Sequence, residues 1–297
     1  MIERDNIDVV AVVAGDRVKS ITTEEFLQLA DAGCPSDLPS PVIPHGYDRV
    51  ARWQMDTYGL QRAQLAMVSV LMNRLAQRHP LALHPHDLSL DDVLSSRPIG
   101  PEAVTTVYEC AKRADGGAAV IVASSHWLET NGYRADAGVV VLGGAEGSGP
   151  LTPPQVIDET MFSCETATRL AYNLTQLATE DIDIFMLYDC FPICFIRALE
   201  AVGLAQRGNG GQYVEELCTA TAKPDFPSEV CPINTHGGLL GYGAPWEVPA
   251  GYSIIEAYEQ LTGRASKRQI PHARRALVYG NGGIFSASAV AILGRSI

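Results

Sequence analysis

Three stretches of the sequence set polar or titratable side chains at element ends or among glycines, where a backbone can carry them to a ligand. The first is Leu187-Tyr-Asp-Cys-Phe191, which closes the apolar run 182–187 (IDIFML) and precedes a helix expected from Pro192. Strand ends that lead into helices are where α/β folds present side chains and N–H groups to ligands. A thiol at Cys190 lies near that helix N-terminus, which favours the thiolate. The alternative is a small core cysteine beside a Tyr188 whose hydroxyl is satisfied in the packing. The second stretch, Asn234 to Pro245, carries four glycines (237, 238, 241, 243) in seven positions, interleaved with His236 and Tyr242. Such a backbone can turn sharply and approach a ligand closely, or it can be a buried turn that packs two elements. The third, Gly280-Asn-Gly-Gly283, reads as a hairpin turn with a structural role.

Other motifs are absent. The Gly144…Gly149 run has the wrong order for a dinucleotide fingerprint, and neither GxxxxGK[ST] nor GxSxG occurs. Seven cysteines show no CxxC spacing, and seven histidines give no HExxH. His79, His84 and His86 lie in a proline-bearing stretch that reads as a surface loop, so no metal is expected. The net charge of −12 argues against bulk nucleic-acid binding and against anionic membrane surfaces. No apolar stretch reaches the roughly 18 residues of a membrane span. The charged start, Met1 to Asp5, does not read as a signal peptide, and the cysteine usage points to a reduced, cytoplasmic protein.

The elements that must position these residues alternate between strands and helices. Apolar runs at 7–14, 116–124, 137–142 and 182–187 read as buried strands, and 276–279 with 286–293 read as a hairpin. Thr22-Thr-Glu-Glu25 and Ser89-Leu-Asp-Asp92 read as capping boxes. Four prolines between 35 and 44 mark a region expected to be irregular, 45–78 reads as helical, and Gly143 to Pro154 reads as a loop. Helices are expected over 161–178, from Pro192 to a stop at Gly203, and near 249–262. With 297 residues, 46% of them apolar, the chain is long enough for two α/β units with a sizeable core, divided near 126–136.

Read together in chain order, these motifs resemble the thiolase superfamily, in its sterol-carrier-protein-type (lipid-transfer) thiolase and thiolase-like aldolase branch. Tyr58-Gly-Leu-Gln-Arg-Ala-Gln-Leu-Ala66 resembles the family's loop-domain helix, and Asp115-Gly-Gly-Ala-Ala119 its "DGAAA" strand. Asp181 to Phe191 resembles "DID…HDCF", Asn234 to Pro245 resembles "NTSGG…GHP", and the Gly280 turn resembles the closing "GxGG". The resemblance implies an α/β thiolase fold, layered αβαβα, with a truncated first half. Residues 1–132 would be the remainder of the N-terminal half, with a loop domain at about 35–115, and 133–297 the C-terminal domain. The chain opens at what resembles the fourth strand of the first half, so the segment that would carry the nucleophilic cysteine is expected to be missing. A truncated form of a longer thiolase is one reading of that opening.

The departures shape the expected chemistry. The family's activating histidine aligns with Ala244, its oxyanion-hole histidine with Tyr188, and its second cysteine with Gly280, whereas Cys190 is kept. A Claisen thiolase needs a thiolate to hold the acyl group. The resemblance therefore implies aldolase-type C–C cleavage of a β-hydroxyacyl-CoA rather than cysteine-dependent acetyltransferase chemistry. Tyr188 and Tyr242 would be the acid/base pair, supported by His236 and Cys190. The alternative is a non-catalytic acyl-CoA-binding or scaffold subunit. Coenzyme A would enter as a thioester substrate, with no covalently bound cofactor. Its contacts would come from Arg62, Arg74, Gly237, Gly238, Gly282 and Gly283, with Arg78 and Arg97 in the same stretch. Expected partners are a second copy of the chain, or an OB-fold, zinc-ribbon acyl-CoA-binding protein.

Overall fold

The computed structural model describes residues 2, 6–34, 37–83, 86–133 and 138–296. Most of the Met1–Asp5 start, Pro35, His84 and residues 134–137 beside the expected domain division lie outside the described residues.

Two sheets carry the described residues. β1 (Val9–Arg17) and β2 (Asp115–Ala123) form an antiparallel pair, and β3 (Val139–Ser148), β4 (Ile184–Leu187), β5 (Arg275–Gly282) and β6 (Ala287–Arg295) form a four-stranded sheet in the order β3-β6-β5-β4. β4 and β5 run parallel, and β6 is antiparallel to both of its neighbours. A parallel bridge from Phe185 to Ile233 extends the sheet beyond β4. All four residues of β4 are buried because helices cover both faces. Phe185 and Leu187 join the main core with Leu277, Tyr279 and Ile292, whereas Ile184 and Met186 face Ala257 and Leu261. This is the mixed α/β class the sequence implies.

The helices are α1 (Thr23–Ala32), α2 (Val42–Tyr58), α3 (Arg62–Ala76), α4 (Leu90–Ser95), α5 (Ser125–Thr130), α6 (Ser163–Thr175), α7 (Pro192–Ala201), α8 (Gly210–Ala220), α9 (Gly238–Gly241) and α10 (Pro249–Leu261). Both expected capping boxes are present, at Thr22/Glu25 and Ser89/Asp92. The structure corrects four expectations. The runs 7–14 and 116–124, expected as buried strands, form the β1–β2 pair, none of whose residues is fully buried. The helix expected over 45–78 is two helices, divided where Gly59 turns left-handed at φ 72°. Pro44, placed in an irregular region, lies in the first turn of α2, where a missing N–H costs no helical bond. The glycine-rich loop expected from Gly143 is instead the second half of β3. Its glycines leave room for α6, since a Cβ on Gly147 would collide with the Ser163 carbonyl.

α6 lies on β3 and β6, and α10 lies on β5 at the opposite face. Val12, Val13 and Ile121 on the β1–β2 pair are exposed. No helix among the described residues is long and apolar enough to cross a membrane.

Candidate functional site

Two loops meet beyond the carboxyl end of β4. The turn after β4 is fastened by Asn234, whose Oδ1 accepts the Leu187 N–H at 2.6 Å while its Nδ2 donates to the Leu187 carbonyl at 2.7 Å. Asp189, fully buried, accepts the N–H groups of Leu239 and Leu240 at 2.7 and 3.2 Å. A Cβ on Gly238 would collide with that carboxylate, and Gly238 also holds a positive φ of 61°. Both facts require glycine there. Desolvation pushes the Asp189 carboxyl up to about 7, against the opposing pull of the backbone N–H groups. The segment 111–114 threads between the loops: Ala111 donates to the Cys190 carbonyl, Lys112 to Leu239, and Ala244 to Lys112. The Lys112 ammonium donates to Asn73 Oδ1 at 2.6 Å, and burial brings it down to about 8.

Pro192 starts α7 at a position that needs no N–H, and Phe191 is the extended N-cap residue. This turns Tyr188 and Cys190 outward from the buried strand to half-buried positions. Tyr47 of α2 stacks on Phe191, with ring centroids 4.7 Å apart. Its hydroxyl donates to the Gly283 carbonyl at 2.6 Å and accepts from Asn281 Nδ2 at 2.8 Å. Cys190, Cys194 and Tyr188 are its other polar neighbours. Burial, with Cys190, Cys194, Glu247 and Asp189 adding to it, raises the Tyr188 phenol well above the ordinary tyrosine value. Burial also raises the thiols of Cys110, Cys164 and Cys231 to about 12, that of Cys218 to about 11, and that of Cys194 well above its ordinary value.

His236 and Tyr242 belong to a different group. With His79, Tyr252, Glu256 and Glu259 they line a cavity of about 440 Å³. Tyr242 lies at its centre, 4.8 Å from the His79 ring, 5.4 Å from His236 and 5.2 Å from Tyr252. Burial lowers both imidazoles to about 4, so they are neutral. His79, Glu256 and Glu259 bring potential metal-ligating atoms within 4.8 Å of one another. Arg268 already supplies a cation there, bonding both Glu256 oxygens at 3.0 and 2.7 Å and Glu259 at 2.8 Å. The Leu81 N–H also donates to His79 Nδ1, which leaves the Nε2 nitrogen of the neutral ring protonated.

The expected four-residue constellation is therefore divided. Tyr188 and Cys190 stand with Tyr47, and Tyr242 and His236 stand with His79 and Tyr252; no hydrogen bond or ring contact among the described residues joins the two tyrosines. Loop proximity in sequence does not set side-chain direction, and the positive φ at Gly237, Gly238 and Gly243 redirects the second loop. Of the residues expected to hold coenzyme A, Arg62 forks onto the buried Glu109 at 2.8 and 2.6 Å, and Arg74 bonds the Cys218 carbonyl and Thr221. Arg78 is held by Ser228 and the Lys267 carbonyl. A Cβ on Gly237 would press into Ala76 at 2.5 Å, whereas at Gly282 it would meet Ala287 at an ordinary 3.8 Å. Gly283 has a positive φ of 58° and offers its carbonyl to Tyr47. Tyr47, Asn281 and Lys112 were not legible as site residues; only the position of Asn281 in the glycine turn gave any signal.

The parallel β4–β5 pair, its antiparallel extension, and the two glycine-framed loops beyond β4 give the chain a thiolase-like fold. Residues 153–295 match the family described as thiolase C-terminal domain-like. The chain is 31% identical over 254 residues to an acetyl-CoA acetyltransferase of Methanothermobacter thermautotrophicus, covering 85% of this chain and 63% of that protein. It is 28% identical over 255 residues to sterol carrier protein 2 of Rattus norvegicus, covering 85% of this chain and 45% of that one. Among solved structures, the Ltp2-ChsH2(DUF35) aldolase superposes with a TM-score of 0.75 at 22% identity, covering 97% of this chain and 72% of that one. The chain is thus similar to the sterol carrier protein 2 and acetyl-CoA acetyltransferase relatives, with a thiolase C-terminal domain-like match over its second half, and spans less than two thirds of these curated relatives.

Proposed function

We propose that the chain handles a coenzyme A thioester, and that its chemistry is aldolase-type cleavage of a β-hydroxyacyl-CoA at the Tyr188–Cys190 centre. The observation that carries this reading is the pairing of a half-buried phenol and a half-buried thiol at the end of β4, against Tyr47 and the Gly280–Gly283 turn. A phenol raised above its ordinary value is a hydrogen-bond donor rather than a base. Tyr188 therefore donates to the thioester oxygen as enolate charge develops there. Cys190, as thiolate, takes the β-hydroxyl proton; the Cα–Cβ bond breaks, and a ketone or aldehyde leaves. The thioester enolate then recovers that proton at Cα from Cys190, which returns the thiolate. Tyr242 and His236 line the neighbouring cavity and are given no step in this chemistry.

Assembly with another chain belongs to the same reading. Val13 and Ile121 are 73% and 72% exposed on the β1–β2 pair, an apolar surface that a second copy or an acyl-CoA-binding partner would cover. The test is acyl-CoA turnover followed by mass spectrometry, with the wild type, Tyr188→Phe and Cys190→Ser, with and without candidate partner chains. Loss of C–C cleavage in both variants supports the proposal, and undiminished turnover in both refutes it.

A further inference from the structure

Tyr47 has no place in the chemistry above, yet it contacts Phe191 and the Gly280–Gly283 turn and neighbours Cys190 and Tyr188. It reaches the centre from α2, its ring lies on Phe191, and its hydroxyl binds the Gly280–Gly283 turn at two points. A phenol oxygen donates one hydrogen bond and accepts up to two. Tyr47 donates to the Gly283 carbonyl and accepts from Asn281, which leaves one lone pair for the Cys190 thiol beside it. Asn281 Nδ2 lies 3.1 Å from the same Gly283 carbonyl, so that carbonyl keeps a donor if the phenol turns away.

We propose that Tyr47 is the positioning residue of the Cys190 thiol, accepting its S–H in the neutral state and turning its own O–H onto the sulfur when the thiolate forms. Asn281 makes that turn possible by holding the Gly283 carbonyl in the meantime. No covalent bond changes; one hydrogen bond moves from a carbonyl oxygen to a sulfur. The ring itself is fixed by Phe191 and by Phe285, 5.5 Å away, so the motion is rotation of a single hydroxyl. The titratable groups that face Cys190 are Tyr47 from α2, Cys110 from the segment before β2, Tyr188 from its own loop, Cys194 from α7 and Tyr279 from β5. These thiols and phenols carry no charge at neutral pH, whereas Asp189, next to Cys190 in the chain, titrates at about 7 and is unchanged between the wild type and the variants below. Hydrogen bonding from Tyr47 is then the interaction at Cys190 that those variants change.

This proposal rests on the reading of Cys190 as a reacting group, but its test needs no substrate, so the two can fail separately. The full chain is alkylated with iodoacetamide between pH 6 and 10, and the Cys190 peptide is quantified by mass spectrometry. Tyr47→Phe keeps both ring contacts and removes the hydroxyl. The expected result is a pH–rate midpoint moved up by about one unit, with alkylation near neutral pH slowed about tenfold. Asn281→Ala leaves the phenol bound to the Gly283 carbonyl, and the expected change has the same direction. If Tyr47→Phe does not fold, Asn281→Ala alone decides. A Cys190 midpoint and rate within twofold of the wild type, in whichever variants fold, overturns the proposal. A shifted thiol profile in a chain that cleaves no thioester retains it and removes only the aldolase reading.

Discussion

Asp189 ties the two loops together, and its protonation makes that tie sensitive to pH. The carboxyl is buried and titrates at about 7 in the folded chain, against 3.8 for an ordinary aspartate. Between those values the unfolded chain has released the proton and the folded chain still holds it. The associated stability is therefore fully present below about pH 4 and is lost as pH rises through 7. A difference of roughly three units corresponds to about 4 kcal/mol over the whole window, and to about 2 kcal/mol between pH 5.5 and 7. Asp189→Asn keeps the shape and one acceptor for the Leu239 N–H but cannot ionise. Urea unfolding of wild type and variant, followed by circular dichroism at pH 5.5, 6.5, 7.5 and 8, gives the difference in stability at each pH. Other titrating groups, the two imidazoles included, cancel in that difference. The wild type should lose about 2 kcal/mol relative to the variant across this range, with most of the loss before pH 7.5. A difference that stays constant within about 0.5 kcal/mol, or that moves in the wild type's favour as pH rises, refutes the desolvation account.

Three further outcomes follow from the same structure. His236, lowered from 6.5 to about 4, contributes stability that is present above pH 6.5 and lost as pH falls through 4; in the same urea assay the wild type should lose about 3 kcal/mol against His236→Gln over that window. Gly238→Ala meets both a positive φ and the Asp189 carboxylate, while Gly263→Ala meets a positive φ of 73° with open space around it. The first should cost more by about 1–3 kcal/mol, read from urea midpoints, and equal losses would contradict the steric argument. Arg197, fully buried among Glu159, Glu165 and Glu200, should cost about 3–5 kcal/mol when changed to Met, because three carboxylates lose their shared cation; a melting temperature unchanged by the substitution would show that the network adds nothing.

Much of the scaffold was legible because its signals are local. The apolar run of β4 sits between two covered faces, the capping boxes close on themselves, and Pro192 with Gly203 brackets α7 and the turn after it. The glycines of β3 misled because their reason is tertiary: they make room for α6, which no neighbouring residue announces. The site was partly legible. Tyr188 and Cys190 stand at a strand end that any α/β reading would single out. The separation of Tyr242 from Tyr188 was not legible, since glycines at positive φ set the direction of the second loop. Tyr47 was invisible for a related reason: it lies 141 positions before Tyr188 in a stretch without motif character, and only the packing of α2 delivers it.

The central claim is that one proton moves from a β-hydroxyl to the α-carbon of a thioester through the Tyr188–Cys190 centre. Incubating the protein, with its partner chain where one is found, with a β-hydroxyacyl-CoA in D2O tests this directly. The account predicts equimolar carbonyl product and shortened acyl-CoA, the latter carrying one deuterium at Cα, and the loss of both products in Tyr188→Phe. Release of free coenzyme A without C–C cleavage, or full product formation by Tyr188→Phe, would contradict it.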